Sequence, residues 1–184
     1  MAAWHMPRLV IAAPHSHSGK TTVTLALLAA LRQRGLRVAP FKVGPDYIDP
    51  QLHRQAAGST SYNLDTYLVP AGQVQDTFRR VAQEADIAIV EGVMGLFDGS
   101  SPTSRVGSTA EVAALLHAPI VLVIDASGMA ASVGALIHGF RTYDPDVRVA
   151  GVILNRLGSA GTCATSSQPS NGKASRYWDI SPRM

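Results

Sequence analysis

The sequence predicts an α/β domain, a doubly wound and mainly parallel sheet with helices on both faces. Three observations predict it. Five short apolar runs rich in β-branched residues recur along the chain. They are continuous rather than alternating, which is the habit of strands buried on both faces. Helix-like segments separate them, and a β-α-β-α alternation is the pattern of parallel sheets that bind ligands at the carboxyl ends of their strands.

Taken in order, "LVIAA" (9–13) is the first strand, and "TTVTLALLAALRQRG" (21–35) is a helix ended by Gly35. "RVAPFKV" (37–43) follows as a strand. The stretch 44–72 reads as irregular, with many Gly, Pro and Asp, and a helix is expected over 73–84. "DIAIVEG" (86–92) is the third strand, and 93–107 is a loop of the length that is usually functional. A helix over 108–117 begins at Ser108 or Thr109, both good N-caps. The strand "PIVLVIDA" (119–126), a helix over 129–143 and the strand "RVAGVILN" (148–155) complete the pattern. Beyond residue 158 the sequence turns to Ser, Thr, Gly and Asn without a hydrophobic period. Residues 1–158 are therefore expected to form the domain and 159–184 a flexible tail.

Composition narrows the function. At 184 residues, 46% hydrophobic and 16% charged, the chain suits one compact enzyme domain. The net charge is +3, but Lys173, Arg176 and Arg183 against Asp179 put two of those charges after residue 158. No basic stripe remains in the body, so nucleic acid is not an expected partner. The single cysteine, Cys163, excludes an internal disulfide and a Cys-rich zinc site. No apolar run approaches the ~20 residues of a membrane span, so no membrane association and a cytoplasmic location are expected.

The stretch "APHSHSGKTT" (13–22) carries the first chemistry. Gly19-Lys20-Thr21 follows a strand and opens a helix, the context of a P-loop. Backbone N–H groups at the helix start face phosphates, Lys20 adds positive charge, and the Thr21 hydroxyl can ligate Mg²⁺. The G-x-x-x-x-G-K-[ST] pattern would put its first glycine at 14, where this chain has Pro14. A metal site on His15 and His17 would need further ligands nearby, and the loop supplies none.

A P-loop also needs carboxylates to hold magnesium. Glu91 closes the third strand, and Asp98 follows in the next loop. Lys42 closes the second strand, and Asp46 and Asp49 stand three apart on a Gly-Pro turn. Each feature has a purely structural alternative, an exposed strand end or an Asp-rich turn. Together they cluster on one sheet edge.

"APFKVGPDYIDP", "IVEGVMGLFDG", "STAEVAALLHAPIVLVIDASG" and "VAGVILNRLGS" stand in the order that characterises the cobyrinic or hydrogenobyrinic acid a,c-diamide synthases. The chain resembles the N-terminal synthetase domain of that family over residues 8–158. The resemblance implies a dethiobiotin-synthetase-like fold of the P-loop NTPase type. It implies ATP and Mg²⁺ used to phosphorylate the a and c acetates of a corrinoid polycarboxylate, with ammonia from glutamine displacing the phosphate. In the family, a C-terminal glutamine amidotransferase domain supplies that ammonia, and its members are often dimeric. By resemblance, Ser16, Ser18, Gly19, Lys20, Thr21 and Thr22 hold the nucleotide. Lys42 reaches the γ-phosphate, while Thr21, Asp46, Glu91 and Asp98 assist magnesium. Tyr47 and Asp49 face the substrate. Asn155 matches a position that reads adenine in dethiobiotin synthetases, although a turn Asn is an equal alternative.

The departures are specific. The family has a glycine where this chain has His17, which weakens ATP binding if that residue needs φ > 0. The likeness ends at Ser159, so the synthetase domain is expected to be incomplete and the chain inactive or limited to free ammonia. Partitioning-type ATPases, the alternative nucleotide-binding module without ligase activity, carry a lysine where His15 stands.

Overall fold

The structure is a computed structural model that describes residues 6–157 and the backbone of 177–179. The elements in chain order are β1 (Arg8–Ala12), α1 (Lys20–Gln33), β2 (Val38–Val43), α2 (Asp49–Ala57), β3 (Tyr62–Leu64), α3 (Ala71–Ala82), β4 (Ile87–Glu91), α4 (Thr109–Leu115), β5 (Ile120–Asp125), α5 (Ser132–Thr142), β6 (Val149–Asn155) and β7 (Tyr177–Asp179). The sheet runs β3-β2-β4-β1-β5-β6-β7, and every pairing is parallel.

Period-two alternation sorts each strand between two layers. In β1, Val10 and Ala12 point into one hydrophobic cluster and Ile11 into the other. The larger cluster packs α3, α4 and α5 on the sheet, with Phe41 and Phe78 ring centroids 5.0 Å apart. The smaller lies under α1 and α2 and holds Val23, Leu28 and Ala57 against Ile11, Ile89, Val121 and Val123. Both faces of the central strands are therefore covered, which is why their sequences read as unbroken apolar runs.

The stretch 44–72 is not irregular throughout, as expected from its composition. It contains α2 and β3. Asp49-Pro50 opens α2, where proline is tolerated, and Gly58 at φ 74° closes it. Only His53 and Ala57 of this helix are buried, so no apolar stripe announces it. β3 is a three-residue strand at the sheet edge, too short for a period to show. The expected tail lies mostly outside the described residues, but Tyr177–Asp179 within it pair with Val152–Leu154 as β7. No helix among the described residues is long and apolar enough to cross a membrane.

Candidate nucleotide site

With β1 at the centre, the carboxyl ends of β1, β2, β4 and β6 converge on one edge of the sheet. The loop from β1 to α1 carries Ser18, whose buried hydroxyl donates to the His15 carbonyl at 2.9 Å. Gly19 sits at φ 94°, and a Cβ there would overlap Asn155 Nδ2. That amide donates to the Ser18 carbonyl at 3.0 Å, so β6 braces the loop from behind. Asn155 Oδ1 accepts from the Arg156 backbone, so both ends of this side chain engage the backbone. His17 lies at φ 66°, the left-handed region that an L side chain enters at a cost.

Lys20 is buried at the start of α1 and donates to the Met94 carbonyl at 2.9 Å. Burial first, and then the neighbouring Lys42, hold its pKa below the ordinary lysine value. Phosphate oxygens would relieve both penalties. Thr21 donates to Glu91 Oε1 at 2.5 Å. Glu91 is wholly buried at the end of β4. Burial opposes its charge, but hydrogen bonding from His53, the Lys42 ammonium and the Thr21 hydroxyl outweigh that and keep its pKa low.

Lys42, next to last in β2, is 4% exposed and lies 2.5 Å from Asp49 Oδ2, 3.5 Å from Glu91 Oε1 and 3.6 Å from Asp46 Oδ2. Burial disfavours its charge, yet Glu91 and Asp49 outweigh burial and raise its pKa. Asp46 Oδ1 accepts from the Ile48 and Asp49 backbone N–H groups, tying down the start of α2. Despite partial burial, those N–H bonds and Lys42 hold the Asp46 pKa low.

A cavity of about 360 Å³ opens above these groups, lined by Thr21, Lys20, Lys42, Glu91, Met94 and Arg156 among others. Ser16, His17, Gly19 and Thr22 complete its loop side. Asp98 does not line it; its Oδ2 accepts from the Gly95 N–H at 2.8 Å. Tyr47 stands 81% exposed in the loop between β2 and α2. Ser108 is the N-cap of α4, accepting from Glu111 N at 3.0 Å, while Thr109 instead bonds the backbone of Val93.

Sequence reasoning missed three of these groups. His53, on the unpredicted α2, bonds Glu91 Oε2 at 2.7 Å. Its spacing of four from Asp49 would have shown both on one helix face, had the helix been recognised. Arg156 pairs with Asp125 Oδ2 at 2.6 Å beside the cavity, and hydrogen bonds from Ser127 first, then Arg156, draw the Asp125 pKa down to about 2. The Met94 carbonyl has no side-chain signal to find.

The pocket lies at a helix start and holds two lysines and a buried strand-end carboxylate, and the sequence that builds it follows a known family pattern. The pattern of the CobQ/CobB/MinD/ParA nucleotide binding domain covers residues 9–167. The chain belongs to that family. Over 154 residues the domain is 57% identical to a hydrogenobyrinate a,c-diamide synthase of Streptomyces coelicolor, covering 84% of this chain and 32% of that protein. It is 49% identical over 178 residues to a cobyrinate a,c-diamide synthase of Syntrophotalea carbinolica, covering 92% of this chain and 39% of that one. The chain thus spans about a third of the length of these curated relatives. The likeness runs past Ser159, where the sequence reading ended it. Among solved structures, the chloroplast FtsY of Physcomitrella patens matches 90% of this chain and 55% of its own, with TM-score 0.63 and 20% identity. The hydrogenase maturation factor HypB of Archaeoglobus fulgidus matches 95% and 82%, with TM-score 0.55 and 12% identity. These two show the fold.

Proposed function

We propose that the chain is the ATP-dependent activating domain of a cobyrinate or hydrogenobyrinate a,c-diamide synthase, working in the cytoplasm. In this reading, ammonia for the second step comes from a glutamine amidotransferase domain, and free ammonia can replace it in an assay of this domain. The observation that carries it is the convergence of Lys20, Thr21, Lys42 and Glu91 on one cavity at the strand ends.

Transfer of the γ-phosphoryl group to a carboxylate brings two sets of negative oxygens together, and fixed cations must offset the repulsion. Lys20 releases the Met94 carbonyl to bind β- and γ-phosphate oxygens. Lys42, oriented by Asp49, stands beside the transferring group. Ammonia attacks the resulting acyl phosphate, and phosphate leaves as the amide forms. Lys42 is already surrounded by Asp46, Asp49 and Glu91, so lysines alone leave the site short of positive charge for a triphosphate.

The adjacent oxygens of Thr21 and Glu91 suit Mg²⁺, which takes one or two protein oxygens and fills its shell with phosphate and water. Bound there, Mg²⁺ would neutralise phosphate charge. Asp46 acts through Lys42 and the start of α2, and Asp98 through Gly95. The exposed Tyr47 and the neighbouring Asp49 edge are where the corrinoid carboxylates would approach. Asn155 serves the nucleotide by bracing the loop, with adenine as a partner beyond the Ser18 carbonyl and the Arg156 N–H.

Thermal unfolding followed with ATP and Mg²⁺, beside Lys20→Ala, tests the reading. A magnesium-dependent rise in Tm that the variant lacks, followed by amidation of cobyrinate or hydrogenobyrinate with ammonia, is the expected result. No shift at millimolar ATP sinks it.

A further inference from the structure

Glu91 has two carboxylate oxygens, and the groups that face the cavity use only one of them. Thr21 and Lys42 both approach Oε1. Oε2 is turned inward, where an unpartnered anion oxygen would be costly. Its partner is Nε2 of His53, at 2.7 Å and 0% exposed, and behind the ring Nδ1 lies 3.1 Å from Ser61 Oγ. No step described above uses this histidine.

We propose that His53 is a positioning residue for Glu91, its Nε2–H fixing the carboxylate rotation so that Oε1 faces Thr21 and the cavity. This rests on the nucleotide-binding reading given above. Rotation about the terminal bond of a glutamate is soft. One hydrogen bond from Thr21 and an ion-pair contact from Lys42 on the same oxygen do not stop the carboxylate from turning, whereas a donor on the other oxygen does. An ionised carboxylate only accepts, so the imidazole must carry its proton on Nε2. Ser61 then completes the second ring nitrogen.

The helix that brings His53 also brings Asp49 four residues earlier, on the same face. One helix face thus orients the ammonium of Lys42 through Asp49 and the carboxylate of Glu91 through His53. The polar chain Ser61–His53–Glu91–Thr21, buried through its middle, is what a positioning role requires.

The test compares the 184-residue chain with His53→Gln, whose amide can still donate, and His53→Leu, which fills space without a donor. Calorimetry measures binding of a non-hydrolysable ATP analogue with and without Mg²⁺, and melting checks each variant. In His53→Leu the magnesium enhancement should fall by about 10- to 100-fold, the usual effect of losing such a supporting bond. Magnesium-free binding should hold, and His53→Gln should recover most of the enhancement. A folded His53→Leu with the wild-type magnesium dependence overturns the proposal, as does a folded His53→Gln as weak as His53→Leu. Nitrogen-15 NMR of the wild-type ring decides independently, even where a variant fails to fold. A proton on Nε2 supports the role, and a ring protonated only on Nδ1 overturns it. If wild type binds no magnesium nucleotide, the functional reading fails, while the ring protonation still reports whether His53 orients Glu91.

Discussion

His17 shows how one side chain can work against a loop that its neighbours have prepared. Its φ of 66° is a conformation that glycine adopts freely and a histidine does not. Relief of left-handed strain is worth ~1–2 kcal/mol, and the extra unfolded-state freedom of glycine takes back ~0.5–1 kcal/mol. His17→Gly should therefore gain about 0.5–1 kcal/mol in denaturant unfolding and tighten ATP binding by several-fold. An unchanged midpoint together with unchanged affinity would remove the strain argument. At this scale the sequence was informative, because Lys20, Thr21, Lys42 and Glu91 are chemically distinctive and sit at strand ends. Their partners were less legible. A buried histidine and a backbone carbonyl carry no signature until the elements that hold them are placed.

Element by element, legibility followed apolar content. β1, β2, β4 and β5 bury unbroken runs and β6 buries four of its seven residues, and all five were readable from the chain. α3 buries Val74, Phe78 and Ala82 at helical spacing and was found, whereas α2, with His53 and Ala57 inside, was not. The same difference sets local stability, because a helix held mainly by polar contacts opens more readily than one anchored by a phenylalanine. Amide exchange in α2 should be at least about tenfold faster than in α3, and magnesium with ATP should slow it. Equal protection of the two helices would show that its polar contacts hold α2 as firmly as a hydrophobic stripe.

Across the whole molecule, the buried charges predict an acid limit to stability. The native pKa of Glu91 lies below its ordinary value of 4.5, so its ionised form favours the folded state. That contribution is complete above 4.5 and is lost as pH falls through the lowered native value. The alkaline side is mixed. Lys42, raised, loses its contribution as pH rises above 10.5 and through its native value, whereas Lys20, lowered, is freed of its penalty below 10.5, as pH climbs from its native value. Urea midpoints measured from pH 7 down to 3 should fall, with Glu91→Gln giving a flatter curve. Parallel curves would show that Glu91 is not the group responsible.

The strand order carries a consequence for how the chain acquires its structure in time. β1 is the earliest strand among the described residues, yet it pairs Arg8 with Ala88 on one side and Val10 with Ile120 on the other. Both partners are distant in sequence, so loop-closure entropy must be met before the central ladder can form. During synthesis the strand bearing the phosphate loop therefore waits, apolar and unpaired, until β4 and β5 have emerged. The pocket at the end of that ladder takes shape only once strands from both halves of the chain have met.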